Sequence, residues 1–175
     1  MPESSLGSIP TAVCRIKVLC IAAIVVLVDQ VSKWLVMEMM FLGESVSIIG
    51  TFFQLTYIHN PGAVFGLTFG GKYLHLILAG AALVVVGIML WRVTLAEKYT
   101  ALGLALVFGG AIGNMIDRLR FGYVVDFLDF GFGDIRWWVF NIADACVTVG
   151  AGLLIVFHGR LEEEEGAEGE SGGAQ

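Results

Sequence analysis

The sequence predicts an α-helical membrane protein with four transmembrane helices and a small β-sheet at one membrane surface. Composition is the first reason: 57% of the 175 residues are hydrophobic and 15% are charged, whereas soluble domains carry about 25% charged residues. The second reason is that four apolar segments each approach the roughly 20 residues that span a hydrocarbon core. These segments are residues 16–36, 73–91, 99–116 and 138–157.

Aromatic residues mark the ends of these segments, where a helix is expected to leave the hydrocarbon core. They are Trp34, Tyr73, Trp91, Tyr99, Trp137 and Trp138. We therefore predict one membrane domain over residues 14–160. The polar residues 1–13 and the acidic, Gly-rich residues 161–175 are predicted to be disordered.

The first apolar segment resembles a secretory signal peptide in one respect, because Arg15 and Lys17 precede it. No small-x-small cleavage site follows, so we expect a retained helix. Asp29 and Lys33 lie four residues apart near its end and can pair on one helix face. Two interpretations stay open for this pair: a neutralised helix end at the membrane interface, or part of a site.

Residues 43–59 change from a helical to an alternating pattern and predict two β-strands around Gly50-Thr51. A sheet with open edges leaves backbone groups unpaired in lipid, so it must lie at a membrane surface. The following Asn60-Pro61-Gly62 predicts a turn. The turn accounts for the proline and the glycine, whereas the Asn60 amide could point at a ligand.

Charge and cysteine content exclude several classes of function. The net charge of -6 arises mainly from the glutamates after residue 161, and the remainder is near neutral, which gives no basis for binding nucleic acid. The three cysteines, Cys14, Cys20 and Cys146, lie in or beside apolar sequence and are expected to be inert thiols. They form neither a disulfide framework nor a metal-binding spacing.

The orientation in the membrane is not fixed by charge. Lys and Arg residues divide five against five between the two sets of span ends, so the positive-inside rule selects neither side. The unusual polar residues, in contrast, all belong to the side opposite the termini. We therefore expect them to converge near one membrane face. In the third span, Gly109 and Gly113 form a G-x-x-x-G motif, which predicts close packing against another helix.

Residues 109–144 carry acids and amides beside apolar spans, where ionisable groups are costly and usually functional. Asn141 and Asp144 are expected to share a face of the fourth helix, with Asp144 about two turns inside it. Two carboxyl groups that share a site divide their pKa values, so one can act as a general base and the other as a general acid. Such a pair needs no metal or cofactor, and we expect none.

Two acids are the first candidates to partner Asp144. Asp126 follows a turn at Gly122 and lies among apolar residues, in a predicted interfacial segment. Asp117 adjoins Arg118, and a carboxylate beside a guanidinium stays ionised. That environment favours a structural or anchoring role for Asp117.

Asp129 and Asp134 lie in Gly-rich sequence, where Asp commonly serves a turn. Residues 131–134 spell G-x-G-D, a signature of presenilin-type and prepilin-peptidase intramembrane proteases. We reject that interpretation because four spans are too few and Asp134 precedes the fourth span. A small transporter or scaffold is the remaining alternative, but its acids should lie near span midpoints within an internal repeat, and neither is found.

Five stretches of the sequence, in this order, resemble the bacterial lipoprotein signal peptidases, or signal peptidase II. They are Asp29-Gln30-x-x-Lys33; Asn60-x-Gly62-Ala63-x-Phe65-Gly66; Gly109-Gly110-Ala111-x-Gly113-Asn114-x-x-Asp117-Arg118; Gly122-x-Val124-Val125-Asp126-Phe127; and Phe140-Asn141-x-Ala143-Asp144. The resemblance implies a four-helix enzyme with both termini in the cytoplasm. It also implies a small extracytoplasmic β-cradle and an active site near the outer membrane face.

The same resemblance implies roles for individual residues. The catalytic aspartates would be Asp126 and Asp144, with no metal. The groups that hold substrate backbone and lipid would be Asn60, Asn114, Arg118 and Asn141. The supporting residues would be Asp29, Lys33, Gly62 and Asp117.

The implied reaction is removal of the signal peptide from diacylglyceryl-cysteine prolipoproteins, just before the lipidated cysteine. The implied location is the bacterial inner membrane. The expected partners are the lipidated substrate and membrane lipid, with no nucleic acid and no obligate protein partner.

Overall fold

The computed structural model of the protein describes residues 11–62, 71–92 and 98–172. Within these residues the chain forms four helices and four strands. In chain order they are α1 (Thr11–Met39), β1 (Ser45–Ile49), β2 (Phe53–Asn60), α2 (Gly71–Arg92), α3 (Lys98–Arg120), β3 (Val124–Phe132), β4 (Ile135–Arg136) and α4 (Ile142–Gly172). Helix α3 is central and packs against the other three helices.

Two of the helices are long and apolar enough, by length and composition, to cross a membrane. They are Arg15–Met39 of α1 and Lys98–Arg120 of α3. The described parts of the other two contribute shorter apolar stretches, Leu76–Arg92 and Ile142–Phe157. The four helices thus coincide with the four predicted segments, while four membrane crossings remain a prediction.

Glycines on α3 allow α1 and α4 to approach it closely. An added Cβ at Gly109 would lie 2.8 Å from the Ala22 carbonyl oxygen of α1. On the α4 side, a Cβ at Gly110 would lie 2.5 Å from the Ala143 carbonyl oxygen. A Cβ at Gly113 would lie 2.5 Å from Asp29 Oδ2. The predicted packing role of the G-x-x-x-G motif is confirmed, and Gly113 also makes room for a buried acid.

The sheet is antiparallel throughout, with the strand order β1-β2-β3-β4. The two strands predicted within residues 43–59 are confirmed as β1 and β2. Strand β2 aligns Asn60 with Val124 and Ile58 with Asp126. This register carries the Asn60 turn next to the acid of β3.

Strands β3 and β4 were not predicted, because their acids and glycines resemble turn sequence. Asp126, predicted to lie in an interfacial segment, belongs to β3. Asp129, predicted to serve a turn, also lies in β3, where Arg136 of β4 contacts its carboxylate at 2.8 Å. Thr56 donates a hydrogen bond to the same carboxylate at 2.7 Å. These partners satisfy the charge and allow an acid in a strand. Asp134 does lie in the turn, beside Gly133 at φ 57°.

Helix α4 begins later than predicted, at Ile142 rather than at residue 138. The preceding residues are extended, because Phe140 exchanges backbone hydrogen bonds of 2.7 and 3.0 Å with Leu128 of β3. Asp144 consequently lies in the first turn of α4, and its predicted position two turns inside the helix was wrong.

The C-terminal end of α4 also differs from the prediction. Residues 161–172, expected to be disordered, continue the helix to Gly172. Glu and Ala favour helices, and the run contains no proline to end one. Residues 11–13, also expected to be disordered, form the start of α1. The predicted disorder of residues 1–10 and 173–175 falls outside the described residues, as does the 63–66 part of the motif that begins at Asn60.

Gly110→Ala is expected to destabilise the protein, because the new methyl group would collide with the Ala143 backbone as well as with the Val147 side chain. Over-packing of this kind typically costs about 1–3 kcal/mol. Thermal unfolding in detergent measures the change. Gly152→Ala is the matched control in α4, since nothing lies within 4 Å of its added Cβ. Equal stability of the two variants would contradict the close approach of α3 and α4.

Candidate active site

Asn141 joins the two candidate catalytic acids, which come from different elements. Its Nδ2 donates to Asp126 Oδ1 of β3 at 2.6 Å. Its Oδ1 accepts the backbone N–H of Asp144 at 2.9 Å, and its own N–H points back to Asp144 Oδ2 at 3.4 Å. Asn141 is therefore the N-cap of α4, in the reciprocal arrangement of a capping box. Capping the helix thus brings both carboxyl groups to the fully buried Asn141. Asp126 contacts its side-chain amide, and the carboxyl group of Asp144 contacts its backbone N–H.

The Asn60 turn holds the second oxygen of Asp126. Asn60 Nδ2 donates to Asp126 Oδ2 at 2.9 Å. Its Oδ1 accepts the backbone N–H of Gly62 at 2.9 Å, which closes an Asx turn. Gly62 has a φ of 95°, a conformation that strongly favours glycine. The turn therefore fixes which way the Asn60 amide faces.

Asn114 of α3 performs the same task for Asp144. Its Nδ2 donates to Asp144 Oδ1 at 2.7 Å. Its Oδ1 accepts hydrogen bonds from Lys33 Nζ at 2.9 Å and from Asn141 Nδ2 at 3.1 Å. One amide thus links the lysine of α1, the cap of α4 and a candidate catalytic acid.

Asp126 sits in an environment that favours its protonated form. Its side chain is 1% exposed. Burial is the largest cause that raises the pKa of Asp126 to about 6, and the nearby Asp144 adds to the rise. Hydrogen bonds from Asn60 and Asn141 and the charge of Lys33 act in the opposite direction. The Asp126 carboxyl can therefore exchange a proton near neutral pH.

Lys33 is buried at the centre of an ion triad. Its Nζ lies 2.9 Å from Asp29 Oδ2 and 2.8 Å from Asp117 Oδ2. The predicted pairing of Asp29 with Lys33 is confirmed. The pair also contacts Asn114 of the candidate site, through Lys33. Asp117 was expected to pair with Arg118, but successive residues of a helix do not face each other.

Arg118 is oriented differently from Asp117. Its Nη1 donates to the Asn114 carbonyl oxygen at 3.4 Å. Its charge interacts with the carboxyl groups of Asp144, Asp126 and Asp117. The half-buried guanidinium therefore lies within electrostatic range of both candidate acids.

The structure thus brings all the residues expected to be catalytic, substrate-binding or supporting into one connected region. It gives the three asparagines contacts with the acids, which the resemblance did not imply. Sequence reasoning missed Gln30, whose Nε2 donates to Asp117 Oδ1 at 2.9 Å and to the Gly113 carbonyl oxygen at 3.2 Å. Gln30 directly follows Asp29 in the first of the five matched stretches, and this position could have indicated that it belongs to the site. Across residues 11–62, 71–92 and 98–172, His, Cys, Asp and Glu form no group of three suited to a metal ion.

Comparison with known proteins identifies the family. The family model described as Signal peptidase (SPase) II matches residues 21–159. The chain belongs to this family. Lipoprotein signal peptidase of Symbiobacterium thermophilum is 47% identical over 148 residues, covering 83% of this chain and 95% of that protein. The enzyme of Halothermothrix orenii is 45% identical over 139 residues, covering 78% and 91%.

Solved structures agree with the family assignment. Two structures described as a bacterial membrane enzyme have TM-scores of 0.71 and 0.70, with 32% and 31% sequence identity. Both matches cover 80% of this chain. They cover 90% of the first solved chain and 85% of the second. The signal peptidase II chain described here is therefore a membrane enzyme, and the family does not support the transporter or scaffold alternative.

The raised pKa of Asp126 predicts a specific dependence of stability on pH. An unfolded Asp titrates near 3.9, so between about pH 4 and pH 6 the folded state binds more protons at this residue. The contribution of Asp126 to the free energy of unfolding is thus present below pH 4 and lost as pH rises through about 6. Asp126→Asn should remove this loss, which is roughly 3 kcal/mol.

Denaturant unfolding of the parent and of Asp126→Asn at pH 4, 5, 6 and 7 measures the effect. Asp134→Asn, in the exposed turn, controls for loss of a carboxylate elsewhere. The stability of the parent relative to Asp126→Asn should fall with rising pH. A difference that rises instead would show that the site favours the ionised form of Asp126.

Proposed function

We propose that this chain is an aspartic endopeptidase that removes the signal peptide from prolipoproteins, with Asp126 and Asp144 as its catalytic residues. One observation carries the assignment: two carboxyl groups, one buried on β3 and one half-buried at the start of α4, contact the same Asn141 in a signal peptidase II chain. Asn141, which contacts both acids, carries no titratable group.

In the proposed reaction, one carboxylate takes a proton from a water molecule. The oxygen of that water attacks the carbonyl carbon of the peptide bond before the lipidated cysteine. The other carboxyl group donates a hydrogen bond to the carbonyl oxygen and then supplies a proton to the departing amine. The products are a signal peptide with a new carboxylate and a lipoprotein with a free amino terminus.

The asparagines would position the acids instead of only holding substrate. Each oxygen of Asp126 accepts one amide hydrogen bond, from Asn60 or from Asn141. An ionised carboxylate has about four acceptor positions, so each oxygen keeps one for water or substrate. A fixed amide on each oxygen leaves the remaining lone pairs in defined directions, which favours a single attack geometry.

Arg118 is the residue we assign to substrate contact. It is half-buried, makes a long hydrogen bond of 3.4 Å to the chain, and lies close enough to interact with both acids. A guanidinium can donate to a peptide carbonyl or to an ester oxygen of the diacylglyceryl group. Either contact would hold the cleavage position over the two carboxyl groups.

The proposed substrate explains why the site adjoins a membrane domain. Two acyl chains hold a diacylglyceryl-cysteine protein in the bilayer, so the enzyme must meet it there. We place all four helices across the bacterial inner membrane, with both termini in the cytoplasm and the sheet at the outer surface. The site lies near the last turns of α3 and the first turn of α4, which supports its location near one membrane face. The side on which the termini lie rests on the family resemblance.

The sheet register limits how a substrate peptide can bind. Strands lie about 4.8 Å apart, so a peptide added to the outer edge of β1 would be roughly 14 Å from β3. That distance is too great for Asp126 to reach the scissile bond. We therefore place the peptide over the Asn60 turn and the face of β3 that carries Asp126, not along the edge of the sheet.

Asp126→Asn and Asp144→Asn should each abolish cleavage while the protein still folds, because each removes one of the two proton-transfer groups. Loss of a general acid or base typically lowers the rate by 10²–10⁴-fold. A diacylglyceryl-modified precursor peptide incubated with purified enzyme in detergent supplies the measurement.

Asp134→Asn is the matched control, because it alters an exposed acid of the G-x-G-D sequence without touching the site. It should retain the parent rate. Near-parental cleavage by either Asp126→Asn or Asp144→Asn would refute the assignment of that residue. Loss of cleavage in Asp134→Asn alone would point to the rejected G-x-G-D chemistry.

A further inference from the structure

The geometry points to a second function for the buried ion triad: Asp29, Lys33 and Asp117 form a strut that sets the separation of the two catalytic carboxyl groups. This inference rests on the proposed function, since it takes Asp126 and Asp144 as the reacting pair. It makes the triad a set of positioning residues in addition to a neutralised helix end.

The three charged residues are enclosed together. Asp29 is 0% exposed, and Lys33 and Asp117 are each 1% exposed. An ammonium group has three protons to donate. Lys33 Nζ has three acceptors at 2.8–2.9 Å, namely Asp29, Asp117 and the Asn114 side-chain oxygen. Every donor is used, so the position of Nζ is defined by α1 and α3 together.

The acids of the triad reach beyond the lysine to the backbone beside each catalytic residue. Asp29 Oδ1 accepts the N–H of Ala143 at 3.0 Å, and Ala143 directly precedes Asp144. Asp117 Oδ2 accepts the N–H of Val125 at 3.1 Å, and Val125 directly precedes Asp126. The triad is thus attached to the chain one residue before each catalytic aspartate.

The two attachment points differ in secondary structure, which argues against a general stabilising role. Ala143 lies in the first turn of α4, where the N–H groups have no partner within the helix. Val125 lies inside β3. Stabilising a helix end and stabilising a strand are separate tasks, yet both are performed by acids that share Lys33. The shared feature is the neighbouring catalytic residue.

The other contacts of the site complete the strut. Asn114, the third acceptor of Lys33, donates to Asp144 Oδ1 at 2.7 Å. Gly113 allows Asp29 to reach this position, because any side chain there would collide with its carboxylate. A rigid connection therefore runs from β3 through Asp117, Lys33 and Asp29 to α4.

The two acids use their oxygens differently, and this difference supplies a test. Asp29 accepts Ala143 with Oδ1 and Lys33 with Oδ2. An amide has only one oxygen, so Asp29→Asn must turn an NH₂ group towards one of these donors and lose a connection. Asp117 accepts both Val125 and Lys33 with Oδ2, while Oδ1 faces Gln30.

Asp117→Asn can therefore keep both connections through its single oxygen. The Gln30 amide would rotate to accept the new NH₂ group and would give up its hydrogen bonds to the Gly113 carbonyl oxygen and to Asp29 Oδ2, each 3.2 Å long. The two variants make the same chemical change beside the same lysine. Only Asp29→Asn breaks a connection of the strut. If the triad acted through its charge alone, the two variants would lower kcat equally, whereas the strut predicts a larger loss of kcat in Asp29→Asn.

The experiment compares kcat and KM of Asp29→Asn and Asp117→Asn for cleavage of a diacylglyceryl-modified precursor peptide, at a temperature where both variants are folded. A misplacement of about 1 Å can cost about 10²-fold in rate. Asp29→Asn should lower kcat by about that factor with little change in KM. Asp117→Asn should lower kcat much less than Asp29→Asn does, because its single oxygen keeps the connections to both Val125 and Lys33.

Equal losses of kcat in the two variants, or a greater loss in Asp117→Asn, would overturn the strut. So would a failure of Asp117→Asn to fold, since that variant retains both connections. If Asp29→Asn does not accumulate, Asp117→Leu replaces it, because Leu removes the same charge together with the acceptor for Val125. Asp117→Leu should then lose about 10²-fold in kcat relative to Asp117→Asn.

Two further proteins separate failure of the strut from failure of the proposed function. The parent and Asp134→Asn must both cleave the peptide, and Asp126→Asn must not. If the parent is inactive or Asp126→Asn is active, the proposed function fails. If these three behave as expected and Asp29→Asn keeps the parental kcat, only the strut fails.

Discussion

Burial of carboxylates beside an apolar helix bundle is the constraint on which the rest of the structure depends. Asp29, Asp117 and Asp126 are almost fully enclosed, and an unpaired charge in such a place is too costly to persist. Two kinds of partner reduce the cost of burying these acids. Lys33 neutralises the first two acids, and amide groups bind Asp126 without neutralising it. This division leaves one acid free to change its protonation state.

Helix packing and sheet register follow from the same constraint. Side chains on α1, α3 and α4 can meet only if the helices approach closely, and the glycines of α3 make that approach possible. The sheet then delivers Asp126 and the Asn60 turn from the other side, through the pairing of β2 with β3. The site therefore lies between the helices and the sheet, and Asn141 contacts residues of both.

Much of this arrangement could be predicted from the sequence, because its signals are local. Apolar length indicated the four helices, alternation indicated β1 and β2, and acids beside apolar spans indicated the site. Strand β3 escaped prediction because Asp126 and Asp129 are tolerated there only through partners distant in sequence, such as Asn60 and Thr56. The late start of α4 escaped for a similar reason, since Phe140 pairs with Leu128.

The partner of each buried acid was likewise beyond the reach of sequence reasoning. Proximity in sequence suggested Arg118 for Asp117, whereas helix geometry selects Lys33, from another helix. Assigning the asparagines to the acids required the positions of individual amide atoms. Periodicity and motif spacing carry no information of that kind.

Asn141 has a consequence for inhibition. Its one side chain starts α4, binds Asp126 and contacts Asn114, so few other residues could replace it without loss of activity. A compound that contacts Asp126 and Asp144, the two acids that Asn141 holds in place, would depend on a geometry that the protein cannot easily change. Compounds that rely on the exposed aromatic side chains on either side of β4, such as Phe132 and Trp137, would contact a surface that is freer to vary.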